Sequence, residues 1–144
     1  MTISLITSTL GRREILGRLL TSLEQQSYRD FQIIIVDQNP DGYLDAVLAG
    51  HRQTLNLHHI RSPKGVSRGR NAGLQASTGE ILAFPDDDCW YPPELLSQAI
   101  ALLDAHPDHD AGPGTQGMAS DVLAEVRRRL KSLQPMTHVV FANS

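Results

Sequence analysis

The chain has one cysteine, Cys89, among 144 residues, so it cannot form an internal disulfide and fits a reducing compartment. Beside carboxylates this thiol would be a poor thiolate, which argues against a nucleophile role. His51, His58, His59, His106, His109 and His138 have no zinc-ligand spacing with that single cysteine and read as surface or satisfied histidines. Long apolar runs are missing too. The longest, Ile33 to Val36, falls far short of the roughly 20 residues of a membrane span. The opening Met1-Thr2-Ile3-Ser4 has neither the basic segment nor the apolar core of a signal peptide. The expectation is a cytoplasmic protein without a transmembrane segment, peripheral at the inner membrane face at most. A formal net charge of −3 and a pI of about 6.0 leave no general basic surface, so nucleic acid is not expected as a partner. Gly65, Gly69 and Gly73 do not make G-x-G-x-x-G, and no G-x-x-x-x-G-K-[ST] occurs, so neither the dinucleotide nor the P-loop reading applies.

What is present describes an ordinary globular domain, 40% hydrophobic and 20% charged, long enough to bury a real core. Ile3 to Ser8 reads as a buried strand. Leu16, Leu19, Leu20 and Leu23 recur at i, i+3, i+4 and i+7, predicting a helix over about Arg13 to Gln26. Phe31 to Val36 is the most β-branched run and ends on Asp37; a turn cluster follows, from Gln38 to Gly42. A short helix over Tyr43 to His51 and a weak strand around Leu57 to Ile60 come next. The glycine-containing basic loop Arg61 to Gly69 leads to a helix expected over Asn71 to Ala76. Ile81 to Phe84 is another buried strand, and Leu96, Ala99, Ile100 and Leu103 mark a helix ending near His106-Pro107. This alternation predicts an α/β fold: a Rossmann-like, mostly parallel doubly wound sheet with helices on both faces. Past Pro107 the pattern changes to a loop, a helix with Ser120 as N-cap and apolar positions from Val122 to Leu133, and a short strand over His138 to Ala142. Residues 1–107 and 108–144 are therefore expected to be a main domain and an atypical extension.

The organising stretch is Glu80 to Pro93, where a strand without polar alternation runs into Asp86, Asp87 and Asp88. Adjacent carboxylates repel, and an oxygen-preferring divalent cation, Mg²⁺ or Mn²⁺, would relieve the repulsion. Successive strand residues point to opposite faces, so Asp86 and Asp88 face one way and Asp87 the other; the i, i+2 pair is the metal candidate. An acidic turn in water is the simpler alternative. Two further strand ends, Thr7-Ser8-Thr9 and Asp37, reach the same sheet edge, where open α/β sheets place ligands. Asp37 could receive ribose hydroxyls or a base N–H, or cap its own turn. Arg68 and Arg70 bracket Gly69 near a helix N-terminus, a setting for phosphate oxygens or simply a solvated basic loop.

Together these pieces resemble the family 2 glycosyltransferases, whose nucleotide-binding half is a GT-A type sheet. The resemblance is carried by Ser4 to Thr9, Ile34 to Asp37, Gly65 to Gly73, and Phe84 to Asp88 with Tyr91 and Pro93, in the family's order. It spans about Thr2 to Gln116. It implies a UDP-, GDP- or dTDP-linked sugar donor bound with Mn²⁺ or Mg²⁺, and transfer to an acceptor glycan or lipid, as in cell-envelope polysaccharide synthesis. Thr7, Ser8, Thr9 and Asp37 would then contact the base or ribose, and Arg68 and Asn71 match the segment beside the donor. Asp86, Asp87 and Asp88 match the D-x-D region, with Asp88 the direct metal ligand. Cys89 stands where many members have a fourth acid. Members continue into an acceptor-binding half with a catalytic base and a Gln-x-x-Arg-Trp-like segment; no stretch here matches either, and no base is assigned. The resemblance thus implies a truncated member, with dimerisation expected from its uncovered surface. A nucleotide-sugar-binding module without turnover, or an unrelated Mg²⁺ phosphohydrolase, stay open on the same residues.

Overall fold

The computed structural model describes residues 2–88, 90–104 and 137–141. Five strands form one sheet in the order β3-β2-β1-β4-β5. They are β1 (Ile3–Thr9), β2 (Phe31–Asp37), β3 (Leu57–Arg61), β4 (Ile81–Pro85) and β5 (Thr137–Phe141). The first four are mutually parallel, and β5 runs antiparallel to β4. The helices are α1 (Arg13–Glu24), α2 (Asp45–Ala49), α3 (Val66–Ala76) and α4 (Leu95–Asp104).

Strand periodicity divides the core in two. Ile3, Leu5, Ile33, Ile35, Ile81 and Ala83 turn to one face, under α1, α2 and α4. Ile6, Ile34, Val36 and Leu82 turn to the other, where Ala72 and Ala76 of α3 cover them. The sheet is therefore doubly wound, as its strand–helix alternation predicts. All four leucines of the α1 stripe are completely buried. Gln26, just past α1, is buried as well: its amide nitrogen donates to the carbonyl oxygen of Pro92 (2.8 Å), and its amide oxygen accepts from Leu96 N–H (3.2 Å). It thereby satisfies an otherwise orphaned donor at the start of α4 and fixes the segment that follows the three acids.

The main departure from the expected elements is α3, which begins at Val66 rather than Asn71. Gly69, expected at the end of the basic loop, is helical like Gly73, and both are buried on the helix face against the sheet. A methyl group at Gly73 would collide with Ile6 Cγ2 and lie 3.3 Å from Val36 Cγ2; one at Gly69 would collide with Ser8 Oγ and lie 3.0 Å from Gln38 Nε2. Their lack of a side chain is what lets α3 lie so close to β1 and β2. Arg68 and Arg70 are consequently helical residues rather than flanks of a loop. The short strand expected over His138 to Ala142 is β5, while the helix expected from Ser120 to Leu133 lies outside the described residues, as does Cys89.

Candidate donor-binding site

Strand order reverses between β1 and β4: β2 and β3 extend from one side of β1, β4 and β5 from the other. Loops leaving two such strands diverge and open a crevice at their carboxyl ends. A cleft of about 540 Å³ lies there, walled by Ser8 to Leu10 and Arg12 from the β1 end and by Phe84 to Asp88 from the β4 end. Gln38 closes it behind β2, and Val66 and Arg70 line it from α3.

The three carboxylates follow β4 and enter a turn, so the expected strand alternation does not extend to them, and all three line the cleft. Asp87 turns inward and is buried, while Asp86 and Asp88 are exposed on the cleft wall. Arg12, at the entry to α1, places its NH1 3.2 Å from Asp87 Oδ1 and 3.6 Å from Asp88 Oδ2. Burial pushes the Asp87 carboxyl above its usual range; Asp88 beside it adds to the shift, while Thr9 and the Arg12 guanidinium oppose it. The Thr9 hydroxyl is buried beside Asp87 and helps to hold its carboxylate. Among the described residues no group of three or more His, Cys, Asp or Glu side chains could hold a metal ion. The available set is the Asp86 and Asp88 pair, hard oxygen donors that suit a Mg²⁺ or Mn²⁺ keeping several of its waters.

Asp37 is placed differently. Its side chain is 1% exposed and it does not line the cleft. Oδ1 accepts from the backbone N–H and the side-chain amide of Asn39, both at 2.9 Å. Oδ2 accepts from His59 Nε2 at 2.8 Å and Arg61 NH1 at 3.2 Å. The β2–β3 register explains the convergence, since Ile35 pairs with His59 and Asp37 with Arg61. Burial alone would raise the Asp37 carboxyl, but the Asn39 and His59 hydrogen bonds outweigh it and hold it below its usual range. Asn39 passes the order on: its amide nitrogen donates to the Thr9 carbonyl (3.3 Å) and its amide oxygen accepts from Gly11 N–H (2.5 Å). Asp37 thus holds the β1–α1 loop that forms one wall of the cleft.

Of the remaining predicted residues, Ser8 and Thr9 line the cleft, whereas the Thr7 hydroxyl is buried and donates to the Pro85 carbonyl, tying β1 to the base of the acid run. Arg68 and Asn71 are exposed and outside the lining; Arg70, one helical turn from Val66, occupies that wall, its guanidinium 5.2 Å from the centre of the Phe84 ring. Sequence reasoning missed Arg12, Gln38 and Asn39. Gln38 donates to the carbonyls of Pro63 and Gly65, both at 2.9 Å, and so ties down the approach to α3. Its position next to a strand-end acid was the only signal. His51, bonded to Glu24, and His59 are satisfied histidines. Among the described residues no helix is long and apolar enough to cross a membrane.

The chain is similar to several known proteins. A GalNAc(5)-diNAcBac-PP-undecaprenol beta-1,3-glucosyltransferase of Campylobacter jejuni is 30% identical over 108 residues, covering 70% of this chain and 33% of that protein. An uncharacterized glycosyltransferase of Haemophilus influenzae is also 30% identical over 108 residues, 74% of this chain and 36% of that one. The crystal structure of Staphylococcus aureus TarS 1–349 superposes with a TM-score of 0.68 at 28% identity, over 74% of this chain and 33% of that chain. TarS 1–349 has also been crystallised in complex with UDP and with UDP-GlcNAc. The chain spans about a third of the length of these relatives. The family model described as Glycosyl transferase family 2 matches residues 4–138, and the chain belongs to that family.

Proposed function

We propose that this chain is the donor-binding unit of a metal-dependent glycosyltransferase, which transfers a sugar from a nucleoside-diphosphate sugar to a glycan or lipid acceptor in cell-envelope polysaccharide synthesis. The observation that carries the reading is the cleft between β1 and β4, where Asp86 to Asp88, Arg12, Arg70, Ser8 and Thr9 converge. Such a site can take a ligand that is both anionic and rich in hydroxyls. Asp86 and Asp88 would hold Mn²⁺ or Mg²⁺ through their carboxylate oxygens. Bound there, the cation would offset charge developing on a departing diphosphate. Ser8 and Thr9 offer hydroxyls to the donor, and Arg70 offers a guanidinium to its phosphates. Asp37 acts from behind the wall, by fixing Asn39 and Arg61. Residues 1–107 carry this site, and the extension over 108–144 returns β5 to the edge of its sheet.

The test is calorimetric titration of UDP, GDP and dTDP with and without Mn²⁺, on the wild-type chain and Asp88→Ala. The expected result is metal-dependent binding of one nucleotide, weakened at least tenfold in the variant. Binding that ignores both the metal and the substitution would sink the metal assignment. No binding of any nucleotide by the folded protein would sink the donor reading.

A further inference from the structure

We propose that Arg12 is the built-in counter-ion of the acid run: it holds Asp88 until a divalent cation enters, and then moves to the donor's diphosphate. The inference rests on the donor-site reading above. Three observations point to it. Arg12 NH1 lies between Asp87 Oδ1 (3.2 Å) and Asp88 Oδ2 (3.6 Å), so one guanidinium bridges a buried carboxylate and an exposed metal-ligand candidate. The Arg12 side chain is 51% exposed and belongs to the cleft wall, so it can swing without disturbing the core. Next to this ion pair the buried Thr9 hydroxyl also supports Asp87, so the inner carboxylate keeps a partner when the guanidinium moves.

A cation and a guanidinium cannot share Asp88 without mutual repulsion. Metal entry must therefore displace Arg12 from Asp88, and this displacement weakens metal binding in the absence of nucleotide. When a diphosphate is present the displaced guanidinium finds new acceptors, since its planar fork matches phosphate oxygens well. The two ligands then favour each other. By linkage the metal must raise nucleotide affinity by the same factor as the nucleotide raises metal affinity. Arg12 would be a positioning residue that couples the two, and would discourage capture of a bare cation by the empty cleft.

The full chain, its Arg12→Gln variant and its Arg12→Lys variant would be titrated with Mn²⁺ alone, following free Mn²⁺ by electron paramagnetic resonance. Circular dichroism would confirm that each variant is folded. Arg12→Gln is expected to bind Mn²⁺ roughly three- to tenfold more tightly than wild type, the scale of losing a half-exposed ion pair plus a nearby like charge. Arg12→Lys, which keeps the charge but not the fork, should fall between them. With saturating Mn²⁺, Arg12→Gln should bind the nucleoside diphosphate about five- to tenfold more weakly than wild type, removing most of the coupling. Equal or weaker Mn²⁺ affinity in Arg12→Gln, or unchanged nucleotide affinity, overturns the proposal. Nucleotide binding without any Mn²⁺ binding overturns it too but leaves the donor reading standing. Absence of both kinds of binding removes the two together.

Discussion

Replacing Gly73 with alanine should destabilise the protein although alanine is the better helix former. Gly73 is buried in the middle of α3, facing the sheet. An added methyl collides with Ile6 Cγ2, with Val36 Cγ2 at 3.3 Å and Ile6 Cβ at 3.5 Å behind it. Ile6 and Val36 belong to the neighbouring strands β1 and β2, and β-branched side chains have little rotamer freedom with which to yield. To restore a normal carbon–carbon separation α3 would have to lift by about 1.5 Å. Overpacking of this kind costs about 1–3 kcal/mol, and two stiff neighbours place it in the upper half of that range. The intrinsic helix gain of Gly to Ala returns about 1 kcal/mol. The net expectation is a loss of about 1–2 kcal/mol, or a melting temperature lower by about 3–7 °C in a chain of this size. Gly50→Ala is the control: its methyl would meet nothing closer than Val47 O at 3.7 Å, and the change should be neutral or slightly stabilising. Thermal melts of the two variants beside wild type decide the matter. If Gly73→Ala melts at or above the wild-type temperature, α3 does not pack on β1 as closely as described, and the positions of Val66 and Arg70 in the cleft wall lose their support.

Two other substitutions probe the scaffold of the site. Asp37→Asn removes the buried charge and turns one of two oxygens, each accepting two hydrogen bonds, into a donating amide, and should cost about 2–3 kcal/mol at neutral pH. Because the folded carboxyl titrates below its unfolded value of about 3.9, its contribution is fully present above that pH and fades as the pH falls through the lower folded value. Urea unfolding at pH 7, 5 and 3 should show a constant gap at the first two and a shrinking one at the third; a gap that widens with acid would contradict the assigned network. Gln26→Ala strips Leu96 N–H and the Pro92 carbonyl of their buried partner and should cost about 1–3 kcal/mol, read from the urea midpoint. A midpoint like that of wild type would mean that the segment after the acids is held by other contacts.

The strands were easy to read from the sequence because each carries its own signal. β2 is buried at every position, and the apolar run Ile33 to Val36 marks its centre without reference to its neighbours. The acids were expected to alternate as strand residues, but they lie past the end of β4 in a turn, where all three line one cleft and Arg12 reaches both Asp87 and Asp88. The start of α3 was not legible either. Gly69 and Gly73 have the poorest propensity for a helix short of proline, and the reason they are there belongs to Ile6 and Ser8, which are far away in sequence. Arg68 and Asn71 were expected beside the donor from the family resemblance, and Arg68 with Arg70 from the basic loop; Arg70 and Val66 line the cleft. The partners of Asp37 were hidden for a related reason. His59 and Arg61 reach it only through the register of β3 on β2, which no spacing within either strand reveals. Arg12 was missed because nothing local indicates that it meets Asp87 across the sheet edge.

The antiparallel pairing of β5 with β4 bears on how this protein is made. Leu82 pairs with Val140, and Pro85, the residue just before the acids, pairs with Thr137. As the chain leaves the ribosome, β1 to β4 can assemble in order, but β4 remains a bare border until a segment far downstream has been synthesised. The cleft therefore acquires its last structural support late, and the nascent chain passes through a stage in which the strand leading to Asp86 can zip onto a stranger. Any expression design that stops the chain before Thr137 would make that transient stage permanent.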